Sequence, residues 1–398
     1  MGCSWSGFAD NRCQMPSTAI LANPLRRQIA EAIRQSGGWI GFDAFMSKAL
    51  YAPELGYYAN TRAKFGTMPR GVKDEGGDFA TAPEMSPLFG QTVAVQVAQA
   101  LAATETAHIW EFGAGSGALA LHLLSELDRQ GVPWQRYTIV DLSGSLRVRQ
   151  QATLAPFGEK IHWVDQLPPA MRGVVIGNEV LDAMPVKLLA CRGGHWFERG
   201  VALAEGCADG IDFQFTWQDR PTGLRPPVEI EGLHDYVCEI HAQAEAFVRT
   251  LGDKLALGAV FLIDYGFPDH EYYHPQRHMG TLMCHQNHRA DGNPLVDVGQ
   301  KDITAHVNFT GIALAAQGAG FEVLGYCTQA RFLMNCGLLG LLENASFADK
   351  AMAQKLISEH EMGELFKVIG LAKFPPQGSV SPSWQALGFS AGDRSHTL

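Results

Sequence analysis

The stretch Ile109–Leu124, IWEFGAGSGALALHLL, sets an acid just before three glycines on alternate positions and an apolar run just after them. Glycine is needed where φ is positive or where backbone must come close to a ligand. Gly113, Gly115 and Gly117 therefore predict a ligand-holding turn between a strand and a helix. Spacing alone leaves two ligands open, because Gly113, Gly115 and Ala118 also fit a dinucleotide-binding turn. Glu111 breaks the tie. A carboxylate at that place attracts a ligand carrying an ammonium and a sulfonium, and repels a pyrophosphate. Asp141 and Asp165 end the next two apolar runs. Asp141 can take both ribose hydroxyls in a pair of hydrogen bonds, and Asp165 can accept from an adenine amino group. With their neighbours Phe112, Leu142 and Gln166, these acids predict a site for S-adenosyl-L-methionine, leaving S-adenosyl-L-homocysteine as product.

A second constellation follows in GNEVLDAMPV, residues 177–186. Asn178, Glu179 and Asp182 cluster where an acceptor would meet the methyl group. Methyl transfer is an in-line displacement, so a protein contributes mainly alignment and a surrounding field. If the acceptor is a guanidinium, carboxylates can hold it bidentately. Glu179 is the first candidate for that role and Asp182 the second, with Asn178 pinning the turn beside the cofactor.

The elements that must position these residues are legible as an alternation. Apolar runs at 108–112, 136–142, 160–164 and 173–180 read as strands, with helices predicted over about 116–129 and 145–154. Such a rhythm implies a parallel sheet whose strand C-termini share one edge, where ligands bind. Ahead of it, PLRRQIAEAIRQ opens after Asn23 with Pro24 in the first turn, and a second short helix is predicted over 41–51. Thr81 followed by Glu84 predicts a helix start. After residue 186, LLACRGGHWFERGVAL reads as a hairpin turning at Gly193–Gly194. A helix is predicted over 235–251 and a very apolar strand ending at Asp264. The resulting layout is a flexible leader over 1–23, a helical region over 24–104 and a core over 105–374. Insertions fall near 186–235 and 266–303, and a flexible tail covers 375–398.

Bulk properties narrow the function. The chain has 398 residues, a formal charge of −10, 46% hydrophobic and 18% charged residues, which suits a folded enzyme. An acidic balance without a basic stripe argues against nucleic-acid binding. The eight cysteines include no CxxC pair, no apolar run reaches membrane-spanning length, and no secretory signal pattern opens the chain. His270, His274, His278, His285 and His288 crowd one loop at spacings that match no standard ligand set, so no metal is predicted.

The segments LGYYAN (55–60), GDFATAPEMSPLFG (77–90), EFGAGSGALA (111–120), VDLSGSLRVRQ (140–150), GNEVLDAMPV (177–186), FLIDYG (261–266) and MGELFKVIGLAK (362–373) occur in this order. On them the chain resembles the MidA-type family of S-adenosylmethionine-dependent methyltransferases, which includes the mitochondrial complex I assembly methyltransferase. The resemblance implies an α/β fold: a seven-stranded Rossmann-like core, mostly parallel with the last strand antiparallel, plus added helices. It also implies a protein arginine acceptor in a complex I-related subunit. Gly77, Asp78 and Glu84 are expected to border the cofactor pocket by the same resemblance. Two departures stand out. The loop before residue 77 is extended by MPRGVKDEG, and the family's acidic-Val-acidic-Phe-Thr stretch reads His306-Val-Asn308-Phe-Thr310. A bacterial-type cytoplasmic location is expected, or the mitochondrial matrix in a eukaryote. The oligomeric state stays open, with a dimer allowed. Two other readings of the residues remain: a cofactor-binding assembly chaperone, and an NAD-linked oxidoreductase that Glu111 disfavours.

Overall fold

The computed structural model describes residues 23–60, 81–141, 144–204, 213–230, 232, 235–286, 289–374 and 384–398. Its centre is a mixed sheet of eight strands: β1 (His108–Phe112), β2 (Arg136–Val140), β3 (Ile161–Val164), β4 (Met171–Asn178), β5 (Leu255–Phe267), β6 (Val307–Asn308), β7 (Glu322–Thr328) and β8 (Phe366–Lys373). Seven of them lie in the order β7-β8-β5-β4-β1-β2-β3, and the two-residue β6 pairs with β5 beyond this path. β8 runs antiparallel to β5 and β7, while β5, β4, β1, β2 and β3 are mutually parallel. The expected α/β architecture with an antiparallel last strand is thus observed.

The strands are apolar because both faces are covered. Val174, Ile176, Phe261 and Ile263 lie in one buried cluster with the helix Pro87–Ala103. Val175, Val260 and Leu262 lie in another with the helices Ala242–Lys254 and Phe309–Gly318. Parallel sheets built this way read as continuous hydrophobic runs. Close approach decides some positions: a Cβ on Gly173 would stand 2.1 Å from the His108 carbonyl oxygen, so only glycine lets β4 and β1 pair there.

Around this core stands a second, antiparallel sheet made of Trp39–Gly41, Lys187–Arg192, His195–Leu203, Phe215–Pro221 and Tyr236–Ile240. The hairpin at Gly193–Gly194 is present, with Arg192 opposite His195 and both glycines at positive φ (54° and 80°). The N-terminal helices run over Pro24–Gln35 and Phe42–Tyr51, the first capped by Asn23, whose side chain accepts from the Leu25 N–H at 2.9 Å. A three-stranded sheet, Met283–Gln286, Arg289–Asp291 and Asp302–Thr304, completes the wall above the edge of the main sheet.

Two expectations are corrected. The segment 235–251 is not one helix, since Tyr236–Ile240 pairs with Lys187–Arg192 and the helix begins only at Ala242. Here strand pairing overrides the local pattern. Nor is the whole C-terminal segment a free tail. Residues 384–398 dock on the core, with Phe389 buried against Gly325, Gly370 and Phe332, and the Asp393 side chain accepting from the Tyr326 N–H at 2.9 Å. The leader up to residue 22 and residues 375–383 lie outside the described residues.

Candidate active site

A large cavity, 2160 Å3 in volume, opens at the C-terminal ends of β1, β2, β4 and β5. Its wall joins both constellations read from the sequence: Glu111, Phe112, Gly113, Gly115 and Asp141 on one side, and Asn178, Glu179 and Asp182 on the other.

The glycine loop forms as its spacing dictates. Gly113, Gly115 and Gly117 take φ of 66°, 53° and 87°, a region costly for residues with a Cβ. The Gly117 N–H closes the turn on the Ala114 carbonyl at 2.7 Å, and the helix Ala118–Arg129 begins immediately. Gly113 is also a matter of space, because a Cβ there would approach the Val180 side chain to 3.1 Å. Glu84 reaches the loop from the helical turn Ala82–Met85 and accepts a hydrogen bond from the Ser116 hydroxyl. Glu111 is buried beneath the loop, where the Tyr137 hydroxyl donates to it at 2.9 Å. Burial pushes its carboxyl up to about 8 against the Tyr137 hydrogen bond, with the Asp141 charge adding to the rise.

Gln150 organises this side, and the sequence reading passes over it. Fully buried, it donates through Nε2 to the Asp141 carboxylate at 2.8 Å and to the Gly115 carbonyl at 3.0 Å. The Trp163 indole in turn donates to its Oε1 at 3.0 Å. One amide thus ties the acid after β2 to the glycine loop. Its only trace in the sequence is a glutamine in VDLSGSLRVRQ, nine positions past Asp141. Asp165 and Gln166 follow β3 directly but are exposed and outside the cavity lining. Gly117 too is outside the lining, packed toward Thr153. Leu142, Gly77 and Asp78 fall outside the described residues, as does the extended loop before residue 77.

The opposite side rests on a strained turn. Glu179 takes φ of 53°, unusual for a residue with a Cβ, and its N–H is fastened to the Ile263 carbonyl at 2.9 Å. Asp264, buried at the end of β5, accepts from the Leu181 N–H at 2.9 Å, the Asp182 N–H at 3.2 Å and its neighbour Tyr265 at 2.9 Å. It therefore holds the whole 179–183 turn in shape. The Tyr265 hydroxyl donates to Asp182 Oδ2 at 2.6 Å, and Asn178 Nδ2 donates to Glu179 Oε1 at 3.0 Å. Burial pushes the Glu179 carboxyl up to about 8, reinforced by the charge of Asp182. Burial likewise raises Asp182, to about 6, against the pull of the Tyr265 hydroxyl. Asp182 Oδ1 and Asn178 Oδ1 are buried without a hydrogen-bond partner among the described residues. Such acceptors are costly unless a water or an incoming group donates to them.

Of the departures from the family stretch, Asn308 does structural work. Its side chain caps the helix Phe309–Gly318, accepting from the Thr310 N–H at 3.1 Å and the Gly311 N–H at 3.3 Å. His306 lines the cavity with its ring edge-on to Tyr265 at 5.1 Å, and burial lowers it to about 4, so the imidazole is neutral. Among the loop histidines, His285 lines the cavity, His274 and His278 hydrogen-bond within their own loop, and His288 lies outside the described residues.

Comparison with known proteins agrees with this geometry. The model of the family described as "Putative S-adenosyl-L-methionine-dependent methyltransferase" matches residues 92–327, more than half of the chain. The chain belongs to this family. It is an S-adenosylmethionine-dependent methyltransferase. Over 96% of its length it superimposes on 99% of a Burkholderia thailandensis protein solved with S-adenosyl-homocysteine bound, at 46% identity and a TM-score of 0.87. It is 26% identical over 369 residues to a mitochondrial protein arginine methyltransferase NDUFAF7 homolog of Caenorhabditis elegans, covering 85% of this chain and 83% of that one. The Bos taurus mitochondrial protein arginine methyltransferase NDUFAF7 is 24% identical over 411 residues, with 93% and 88% covered.

The residues present suit the cofactor. A glycine cradle that a side chain would fill, a buried carboxylate below it and a second carboxylate on the next strand match an ammonium, a sulfonium and paired hydroxyls. Among the described residues no helix is long and apolar enough to cross a membrane.

Proposed function

We propose that this methyltransferase modifies an arginine side chain of a protein, with Glu111, the glycine loop and Asp141 holding the cofactor and the 178–182 turn holding the acceptor. The observation that carries the acceptor half is the set of buried oxygens on that turn. Asp182 is 6% exposed and Asn178 8%, and each keeps one oxygen unpartnered beside the Glu179 carboxyl. A guanidinium supplies five N–H donors in a plane and keeps its charge, so it answers both the orphaned acceptors and the desolvated carboxylates. The names of the Caenorhabditis elegans and Bos taurus relatives support the same reading.

When bound, the cofactor supplies the methyl group, and the S–C electron pair stays on sulfur as the N–C bond forms. The chain's own contribution is alignment and proton handling. Glu179 and Asp182 orient the guanidinium and hold its charge away from the reacting nitrogen. That nitrogen sheds one proton, which the Glu179 carboxylate accepts at an Oε; burial pushes this carboxyl up to about 8, and the charge of a bound guanidinium favours its carboxylate form. Tyr265 and Asp264 keep the turn in place throughout. A protein acceptor suits a cavity of 2160 Å3, far more room than one nucleoside fills. We propose that the reaction takes place in a bacterial-type cytoplasm, or in the mitochondrial matrix, where the names of the eukaryotic relatives put those proteins.

The test is incubation of the purified protein with methyl-labelled cofactor and cell extract, then acid hydrolysis of the labelled band. Methylated arginine is the expected product. Label on another amino acid, or only on small molecules, contradicts the proposal.

A further inference from the structure

We infer that the segment 277–283 is a docking ledge for the acceptor polypeptide, on which Arg277 takes an acidic side chain lying within about five residues of the methylated arginine. The inference rests on the arginine reading above and extends it to the sequence around that arginine.

The ledge is held by hydrogen bonds from the neighbouring layer. The Val237 N–H donates to the His278 carbonyl at 2.8 Å, and Met279 pairs with Val237. Glu239, fully buried, accepts through Oε1 from the Thr281 N–H at 2.8 Å and the Leu282 N–H at 3.1 Å. The Tyr272 hydroxyl donates to its Oε2 at 2.7 Å. Gly280 takes φ of 73°, and a Cβ there would meet Glu239 Oε1 at 2.5 Å, so glycine and carboxylate fix the turn together. This fastened segment projects apolar side chains into solvent: Met279 is 75% exposed and Met283 39%. Both line the cavity, as does the exposed Leu365. Exposed apolar groups gathered at one rim mark an interaction surface, and methionine adapts to varied partners.

Charge says what kind of partner this is. The cavity wall is acidic, with Glu111, Asp141, Glu179, Asp182 and Glu239 in its lining. Among the described residues of that lining, only Arg199 and Arg277 carry a permanent positive charge. Arg199 donates to the Asp219 carboxylate at 2.9 and 3.1 Å. Arg277, half-buried, has no carboxylate partner among the described residues. Its Nε donates to the Glu271 carbonyl at 3.2 Å, and its guanidinium carbon lies 4.1 Å from the centre of the Phe267 ring. Lys367 stands over the same ring at 5.7 Å, but the Glu364 and Leu365 carbonyls already engage it. The ring orients the Arg277 guanidinium, whose terminal nitrogens can take a carboxylate bidentately.

From this cation a path of rings leads to the acceptor turn. Phe267 lies 5.3 Å from His306, His306 lies 5.1 Å from Tyr265, and the Tyr265 hydroxyl donates to Asp182 at 2.6 Å. About five residues of extended chain span such a path. A ligand that is positive at the turn and negative at the ledge complements this field, whereas an acid elsewhere along the wall meets like charge.

The experiment measures binding of capped peptides to protein saturated with S-adenosyl-homocysteine, by saturation-transfer NMR. Each peptide has a central arginine in an alanine-glycine background, with one glutamate or one lysine at each position up to about five residues away. Wild type is expected to prefer glutamate over lysine by about tenfold at one or two of these positions, the joint size of an ion pair gained and one reversed. Arg277→Glu should invert that order, and Arg277→Ala should erase it. Met279→Ser should weaken every peptide by about threefold through lost apolar contact. No binding by any peptide, no preference at any position, or a preference retained in Arg277→Glu overturns the inference. If Arg277→Glu fails to fold, Arg277→Ala decides, and a preference retained there overturns it too. Equal binding by Met279→Ser likewise removes the ledge as a docking surface. Cofactor-product affinity should stay within about twofold of wild type in Arg277→Glu. A larger loss would assign this guanidinium to the cofactor's own carboxylate and overturn the inference. Amino-acid analysis of the band labelled by wild type separates the two claims. Labelled arginine with peptides that show no preference removes only the ledge, whereas label on another amino acid removes both.

Discussion

On the glycine-loop side of the cavity, the key polar groups find partners within one continuous stretch of chain. Glu111 has Tyr137, Ser116 has Glu84, and Asp141 has Gln150, which is itself held by Trp163. On the acceptor side the groups come from the N-terminal layer, the turn after β4, the end of β5 and the small three-stranded sheet, and the buried oxygens Asp182 Oδ1, Asn178 Oδ1 and Thr304 Oγ1 have no hydrogen-bond partner among the described residues. Among the described residues that line the first side, no buried polar side-chain atom is left unmatched, which suits one fixed small molecule. The second is completed only by what enters it. Leaving acceptors buried and unmet costs about 1–3 kcal/mol each, which an incoming donor recovers.

If the two sides are separable, substitutions should split their effects. The largest is expected from Glu179→Gln, which keeps the shape but removes the carboxylate. Methyl transfer should fall by about a thousandfold, comparable to removal of a transition-state electrostatic group, with cofactor-product affinity within about twofold of wild type. Single-turnover labelling alongside calorimetry reads both, and an active variant would end the assignment.

Next comes Gly113→Val. A branched side chain at φ of 66°, pressed against Val180, should weaken S-adenosyl-homocysteine binding by about 10- to 100-fold. Normal affinity in this variant would mean that the cradle is not where the nucleoside sits. Gln150→Leu should cost about tenfold in the same titration by releasing Asp141, although Gln150 itself is outside the cavity lining. A loss in transfer without a loss in affinity would instead assign Gln150 to the chemical step.

The smallest effect concerns pH. Glu111 and Glu179 are both pushed up to about 8 by burial, above the 4.5 of an exposed glutamate. The folded state therefore binds more protons than the unfolded one between those values. Stability is full below about pH 4.5 and is lost as pH rises through about 8. The ligand-free protein should melt a few °C lower at pH 8.5 than at pH 5.5, and the double substitution Glu111→Gln, Glu179→Gln should flatten that slope. A slope unchanged by the pair would show that these carboxyls ionise freely in the fold.

The same contrast explains what could be read from the chain. Gly113, Gly115, Gly117 and the Asn23 cap declare themselves because their causes are local: positive φ, a short turn, a side chain meeting an N–H two residues on. The hairpin at Gly193–Gly194 is legible for the same reason. Tyr236–Ile240 was legible as an ordered segment but not as a strand, because its partner Lys187–Arg192 decides its conformation. The docking of Phe389 on Gly325 and Gly370 depends on space left by distant glycines. Tyr58 and Asp302 lie 244 positions apart, and no local pattern announces their hydrogen bond. Asp264 and Tyr265 stood in plain view in FLIDYG, yet their task of shaping the 179–183 turn appears only once β5 lies beside β4.

The most direct test of two separable sides is calorimetric titration of S-adenosyl-homocysteine into Asp141→Asn and Glu179→Gln under identical conditions. Division of labour predicts a loss of about tenfold or more for Asp141→Asn and less than about twofold for Glu179→Gln. Equal losses, or the larger loss in Glu179→Gln, would contradict it.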